Sequence, residues 1–520
     1  MMARSTLVIT MSTGTLRVRP TILRAFILAV LIVAQIFLFI WMIWTTSKLS
    51  LIVDISLSIL SLLVVLYIVE VDSVPSYSLI WSIVILLAPV FGGPFYLLFG
   101  LQSAPRKVRR RVAALDKEAR LLLVQDGQML ESVASRREDF GRQARYLSMT
   151  AGFPVYDCSH ARYLASGEEM FQALKAELAK AEHFIFLEFF IIDKGLMWDS
   201  ILDILTQKVA QGVEVRVMYD DIGCLFTLPP DYDRVLEALG IRCTVFNRTR
   251  IVLTKLINNR DHRKIVVVDG KVAITGGVNL ADEYINEVER FGHWKDAAVL
   301  IEGNAVRSLT MMFLNMWSLQ THHDEDYRKY MAPVSESNAD FIQPYADNPI
   351  DHEAVSASVF LNIINSARRY VYITTPYLIV DHTIMTALCL AAKSGVEIRI
   401  ITPRNWDKWL VHQTTRSYYD ELVSAGVMVY EYTYGFMHAK TFVSDDETAV
   451  IGTTNLDYRS LYLHYECGVV LYGGPAVTAL RDDFVETLSV CDQVTPGEYR
   501  PKTVFGRIFL QVLRLFAPLL

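Results

Sequence analysis

Apolar and polar positions divide the chain into three regimes. Residues 25–44 carry no charge, and Gln35 is their only strongly polar member. Such a run matches a bilayer core of about 30 Å, with Trp41 and Trp44 placed as an interfacial belt. A second apolar run, 51–69, contains Asp54 near its start. A third, charge-free over 73–105, contains Pro89, Gly92, Gly93 and Pro94 and is expected to be kinked or partly re-entrant. From about Asp157 to Val490 the pattern changes to alternating strands and helices. The run 184–192 reads as a buried strand. A helix over about 197–211 stops at Gly212, 213–219 is a strand, and a helix over 231–239 stops at Gly240 before a strand at 241–246. Two short strands, 265–268 and 271–275, flank the hairpin signal Asp269-Gly270.

The second half repeats this order. Residues 370–373 match the first strand, 395–400 match 212–217, and Ala425-Gly426-Val427 matches Leu239-Gly240-Ile241. A repeat of roughly 160 residues is too long for a solenoid and predicts two pseudo-symmetric α/β lobes, mixed sheets flanked by helices. Past them, Val504, Phe505, Ile508, Phe509, Val512, Leu513 and Phe516 recur at helical spacing beside Lys502, Arg507 and Arg514. This amphipathic helix either lies in a membrane interface or packs on the lobes. The expected division is a basic tail (1–24), an N-terminal transmembrane helical anchor of two or three apolar segments (25–104), a charged linker (105–155), a first lobe (156–330), a second lobe (331–500) and the terminal helix (501–520).

Composition sharpens this picture. Hydrophobic residues make up 52% and charged residues 20% of the chain, which leans away from a purely soluble protein. The net charge of −6 lacks the basic surplus of a nucleic-acid binder. Cys158, Cys224, Cys243, Cys389, Cys467 and Cys491 are scattered without a C-x-x-C, so neither a disulfide frame nor a metal cluster is expected. The cluster Arg106-Lys107-Val108-Arg109-Arg110-Arg111 marks a cytoplasmic boundary and suits anionic headgroups. The tail is basic too (Arg4, Arg17, Arg19, Arg24), and three full spans would put the two clusters on opposite sides. Either the N-terminus lies outside or one segment does not span. The denser cluster places the lobes on the cytoplasmic side of a multi-pass membrane protein.

The candidate chemistry sits in a duplicated string. His262-Arg263-Lys264, four residues, Asp269 and then Gly276-Gly277-Val278-Asn279 returns as His438-Ala439-Lys440, four residues, Asp445 and Gly452-Thr453-Thr454-Asn455. Residues two apart on a strand share a face, so each motif aims an imidazole and an ammonium into one space. Asn279 and Asn455 add amide donors. Closing the lobes would gather two His, two Lys and two Asn, cations and donors suited to a phosphoryl transition state. The motifs contain no carboxylate cluster for magnesium, so chemistry without metal or cofactor is expected. Two histidines allow one to attack phosphorus while the other moves the proton. Each needs an acceptor on its other nitrogen, for which Asp296 and Glu466 are candidates. Asp269 and Asp445 join the catalytic set by motif, though a structural role fits them better.

The string H-x-K-x4-D-x6-G-x-x-N, present twice, resembles the signature of the phospholipase D superfamily. Within it the chain is similar to membrane-bound bacterial cardiolipin synthases, through 75–81, 89–93, Tyr219-Asp220-Asp221-Ile222-Gly223, His293-Trp294-Lys295-Asp296, Thr375-Pro376-Tyr377 and Ala517-Pro518-Leu519-Leu520. The resemblance implies transfer of a phosphatidyl group from one phosphatidylglycerol to another through a phospho-histidine, giving cardiolipin and glycerol at the cell membrane. By analogy His262 is the nucleophile and His438 the general acid/base. The family usually has Asn where His464 stands, a bulkier apolar residue at Ser444, and often Ser at Gly277 and Thr453. The other readings are a membrane hydrolase, a transferase with another donor lipid, a nuclease and a lipid-binding scaffold.

Overall fold

The computed structural model describes residues 48–71, 75–87, 92, 93, 96, 105–157, 159–248, 259–332, 340–351 and 353–519. The expected first span, the basic tail, and Pro89 and Pro94 of the third apolar segment lie outside them.

The first lobe contributes β1 (Ser159–Leu164), β2 (Phe184–Phe189), β3 (Glu214–Asp220), β4 (Arg242–Phe246), β5 (Ile265–Val268), β6 (Val272–Gly276), β7 (His293–Lys295) and β8 (Ala298–Gly303). Seven of these form a sheet in the order β1-β8-β6-β5-β2-β3-β4. Strands β2, β3 and β4 run parallel, joined by helices, while β5, β6, β8 and β1 add antiparallel strands. The second lobe contributes β9 (Phe341–Asp347), β10 (Tyr370–Thr374), β11 (Leu378–Ile379), β12 (Glu397–Pro403), β13 (Met428–Tyr432), β14 (Gly435–Met437), β15 (Thr441–Ser444), β16 (Thr448–Gly452), β17 (Leu456–Asp457), β18 (Glu466–Tyr472) and β19 (Cys491–Gln493). Its main sheet, β9-β18-β16-β15-β10-β12-β13-β19, copies the first strand for strand and adds β19 at the edge.

The period-two pattern of β2 explains the layering. Ile185, Leu187 and Phe189 face an outer core with the helices Gly167–Lys180 and Leu196–Ala210. Phe184 and Phe186 face a shared core between the lobes. That core also holds Val443, Ile451 and Val469 of the second sheet and side chains of the helices Val306–Thr321 and Pro475–Leu488. Burying each such aromatic or aliphatic side chain is worth about 1.5–3 kcal/mol, so the lobes are held by a dry interface. The hairpins after each motif turn alike: Asp269 and Gly270 have φ of 53° and 66°, Asp445 and Asp446 of 59° and 64°. Positive φ at both central residues is the I′ turn that matches strand twist.

The described part of the expected anchor, 48–71 and 75–87, departs from expectation. Among the described residues no helix is long and apolar enough to cross a membrane. Lys48–Val71 is one helix, but Asp54 and Glu70 confine its uncharged stretch to 55–69, short of the roughly 20 apolar residues a span takes. Pro75–Leu87 has 13 residues, about 20 Å of helix. Ile80, Trp81 and Ile85 pack with Ile68 and Tyr96, and Leu519 closes this small core. The terminal helix Val504–Phe516 packs on the second lobe through Leu513 and an Arg514–Glu421 ion pair of 2.7 Å. Its remaining apolar face is open, with Phe505 81% exposed, as is Leu63 (56%) on the first helix. Of the two expectations for the terminal helix, packing on the lobes is the one its buried face shows.

Candidate active site

Each H-x-K motif approaches its own sheet through an extended segment that pairs with the opposite lobe. Tyr465 N donates to Arg260 O at 2.9 Å and His262 N donates to Tyr465 O at 3.0 Å. In the other half, β14 runs parallel to β7 and His438 N donates to Lys295 O at 2.7 Å. The crossing sets the pairs: His262 Nδ1 lies 2.9 and 3.0 Å from the two oxygens of Glu466, and His438 Nδ1 lies 2.6 Å from Asp296. Every histidine thus takes its carboxylate from the other lobe, and neither lobe contains a complete pair. With Nδ1 occupied, Nε2 of each ring is the nitrogen left for chemistry.

Lys264 and Lys440 are buried beside them. Lys264 Nζ donates to His262 O at 2.6 Å; Lys440 Nζ donates to His438 O and lies 2.8 Å from His438 Nδ1. Burial draws Lys264 down to about 8 and Lys440 to about 7. Burial and then Lys440 take His438 down to about 4 despite Asp296. Burial and then Lys264, His464, Lys440 and His438 hold His262 well below the usual imidazole range. The carboxylates differ. Burial pushes Asp296 up, but His438 and Lys440 outweigh it, so Asp296 stays ionised. Burial holds Glu466 well above the carboxylate range, and Lys264 and Thr453 only partly offset it.

The structure moves two expected residues out of the centre. Asp269 accepts hydrogen bonds from the backbone of Glu182, His183 and Phe184, each at 2.8 Å. Asp445 accepts from Arg368 and Arg369 at 2.8 Å and Tyr370 at 3.0 Å. Both carboxylates therefore tie down the start of a central strand. The reason is spacing: five residues beyond the lysine is about 16 Å along a strand, past its end and in the turn. The amide of Asn279 is also engaged, since Nδ2 donates to Tyr284 OH at 2.6 Å and Oδ1 accepts from Ile191 N at 3.0 Å. Asn279 thereby holds Tyr284, whose ring meets His438 edge-on at 5.4 Å. Asn455 is buried near Asp457, with Oδ1 unpartnered.

Several site residues received no role in the sequence reading. Phe190 stands against His262 at 5.1 Å, and Trp294 stands against His438 at 5.1 Å. Thr453 donates its hydroxyl to Glu466. At the matching position a Cβ on Gly277 would come within 2.0 Å of Asp296 Oδ1, so the shorter carboxylate sits where the second lobe has a side chain. His464 lies 5.8 Å from His262, ring to ring. Ligand atoms of His262, His464 and Glu466 lie within 4.8 Å of one another, close enough to hold one ion, which would occupy the same groups that hold His262.

Comparisons with known proteins place the chain in a family. The family profile described as "Cardiolipin synthase, PLD-like domain" matches residues 174–317 and 360–488, and the "Phospholipase_D-nuclease N-terminal" profile matches 56–100. An uncharacterized protein of Streptococcus mutans is 43% identical, covering 88% of this chain and 99% of its own length. Relatives called cardiolipin synthase from Halalkalibacterium halodurans and Alkalihalophilus pseudofirmus are 33% and 34% identical, covering 92% and 95% of this chain and 95% and 98% of theirs. The crystal structure of a phosphatidylserine synthase from Haemophilus influenzae aligns with a TM-score of 0.56 at 14% identity, covering 73% of this chain and all of that one, which shows a shared fold. With its paired motifs and relatives alike over nearly its whole length, the chain belongs to the cardiolipin synthase family of phospholipase D-like proteins.

Proposed function

We propose that His262 carries the phosphatidyl group and His438 moves the proton in a single site shared by both lobes. The enzyme is a phosphatidyltransferase that converts two phosphatidylglycerols into cardiolipin and glycerol. The observation that supports this division of labour is the crossed pairing of His262 with Glu466 and His438 with Asp296. In the first step Nε2 of His262 attacks phosphorus. The bond from phosphorus to the headgroup oxygen breaks, and His438 gives its proton to that oxygen as glycerol leaves. In the second step the hydroxyl of another phosphatidylglycerol gives its proton to His438. Its oxygen bonds to phosphorus as the nitrogen–phosphorus bond breaks. Lys264 and Lys440 offset the charge on the phosphoryl oxygens. The anionic substrate in turn screens the lysines and lifts His438 from its low value in the empty site.

The protein is membrane-associated, and its substrates are phospholipids. We read the open apolar faces of Lys48–Val71 and Val504–Phe516 as membrane-facing, and the exposed basic start of Arg106–Leu122 as a headgroup contact on the cytoplasmic side. On this reading phosphatidylglycerol reaches the site from the bilayer and cardiolipin returns to it. Thin-layer analysis of products from labelled phosphatidylglycerol tests the reaction. Wild-type membranes should yield cardiolipin and glycerol, and His438→Ala should reduce the yield at least about 10³-fold. Phosphatidic acid as the sole product would favour a hydrolase, and dependence on a different added lipid another donor.

A further inference from the structure

Cardiolipin synthesis brings two phosphodiesters together, and the two lysines serve the one that reacts. The acceptor lipid keeps its own phosphate, a glycerol bridge away from the attacking hydroxyl. A site for that second anion must lie beside His262, carry positive charge and have hydrogen-bond donors to spare.

Arg260 meets these conditions. It is two residues before His262 on the extended segment that pairs with Tyr465, so it shares the face of His262 at about 7 Å along the chain. Its side chain is 5% exposed. Nε donates to Asn259 O at 3.0 Å, but both Nη atoms are buried without a hydrogen-bond partner. The nearest carboxylate, Asp220, stands 3.5 Å from Nη1 and already accepts from the backbone of Ile222, Gly223 and Asp261. A buried guanidinium with unmatched donors is costly unless an anion completes it. His464 lies next to it, across the same pairing. Arg459 Nε donates to His464 Nε2 at 3.5 Å, which leaves Nδ1 as an N–H, and Nδ1 is buried and unpartnered. Burial, and then the charges of Arg459, Arg260, Lys264 and Lys408, keep this imidazole neutral, so it offers a donor beside a cluster of cations.

We propose that Arg260 and His464 form a second phosphate subsite that holds the non-reacting phosphodiester of the acceptor phosphatidylglycerol and so directs the phosphatidyl group to a lipid hydroxyl instead of water or free glycerol. The inference rests on the cardiolipin reading. Arg260 is a positioning residue, and its signature is a partition between acceptors.

The test uses the full-length enzyme with phosphatidylglycerol vesicles and labelled free glycerol, and reads the ratio of cardiolipin formed to labelled glycerol incorporated into phosphatidylglycerol. Arg260→Gln should lower that ratio at least tenfold, and Arg260→Lys should restore most of it. His464→Phe, which keeps a ring and removes the donor, should lower it about threefold, and it remains informative if Arg260→Gln does not fold. Unchanged ratios in these variants, with cardiolipin made by the wild type, would overturn the subsite alone. Absence of cardiolipin from the wild type would overturn the functional reading, and the subsite with it.

Discussion

His262 and His438 occupy equivalent places in two copies of one sheet, and each reaches across the lobe boundary for a carboxylate; the carboxylates, however, are pushed in opposite directions. Asp296 faces His438 and Lys440 and stays ionised, whereas burial pushes Glu466 toward its protonated form beside His262. The difference suits two jobs. An ionised partner stabilises the imidazolium that forms when His438 takes a proton. A neutral partner orients His262 without adding negative charge where a phosphodiester anion must approach. Gene duplication supplied matching backbones, and small departures such as Thr453 opposite Gly277 separated the halves.

Charge-neutralising substitutions break the comparison most directly. Asp296→Asn removes the charge that His438 needs and should cost about 10²-fold or more in kcat. Glu466→Gln replaces a group that burial already pushes toward neutrality and should cost about tenfold or less. Equal losses, measured by initial rates of cardiolipin formation, would mean that the two carboxylates are used alike.

Acidity sharpens the same contrast. Lys440 and Lys264 are charged below about 7 and about 8 and neutral above. Raising the pH through that window removes the cations that receive the phosphodiester, so kcat/KM should fall across it. Bound anionic lipid favours the charged lysines, so the fall in kcat should lie at higher pH. A kcat/KM that is flat from pH 6 to 9 would contradict this role.

The smallest effect on chemistry is expected from the motif aspartates. Asp445→Asn loses a charged acceptor for three amides and should lower stability by about 1–3 kcal/mol, read as a lower Tm. The enzyme that remains folded should keep its kcat within about threefold, because Asp445 lies about 16 Å of strand from Lys440. A loss of kcat like that of His438→Ala would return Asp445 to the chemistry.

These contrasts also mark how far the sequence could be read. Strands β2, β3, β5 and β6 and their copies were visible because alternating or continuous apolar runs end at glycines or at an Asp-Gly turn. The pairing of Asp296 with His438 and of Glu466 with His262 was not, because it depends on two lobes crossing and no local spacing encodes it. Asn279 read as a phosphate donor because its partner Tyr284 belongs to a single 3-10 turn, Asp282–Ile285, that no local pattern announces. Arg260 went unmarked although it precedes His262 by the same two residues that separate His262 from Lys264; a face-by-face reading of the extended segment would have exposed it. Hydropathy leaves open whether the apolar run 51–69 spans, and Asp54 within it and Glu70 after it leave the helix too short an uncharged stretch.

The central claim is that the two histidines divide the reaction, and mapping the covalent intermediate tests it most directly. Enzyme mixed with phosphatidylglycerol, quenched in alkali within a turnover and digested, should yield a peptide carrying the phosphoryl adduct on His262 by mass spectrometry. The adduct should be absent from His262→Ala. An adduct on His438, with His262 unmodified, would reverse the assignment.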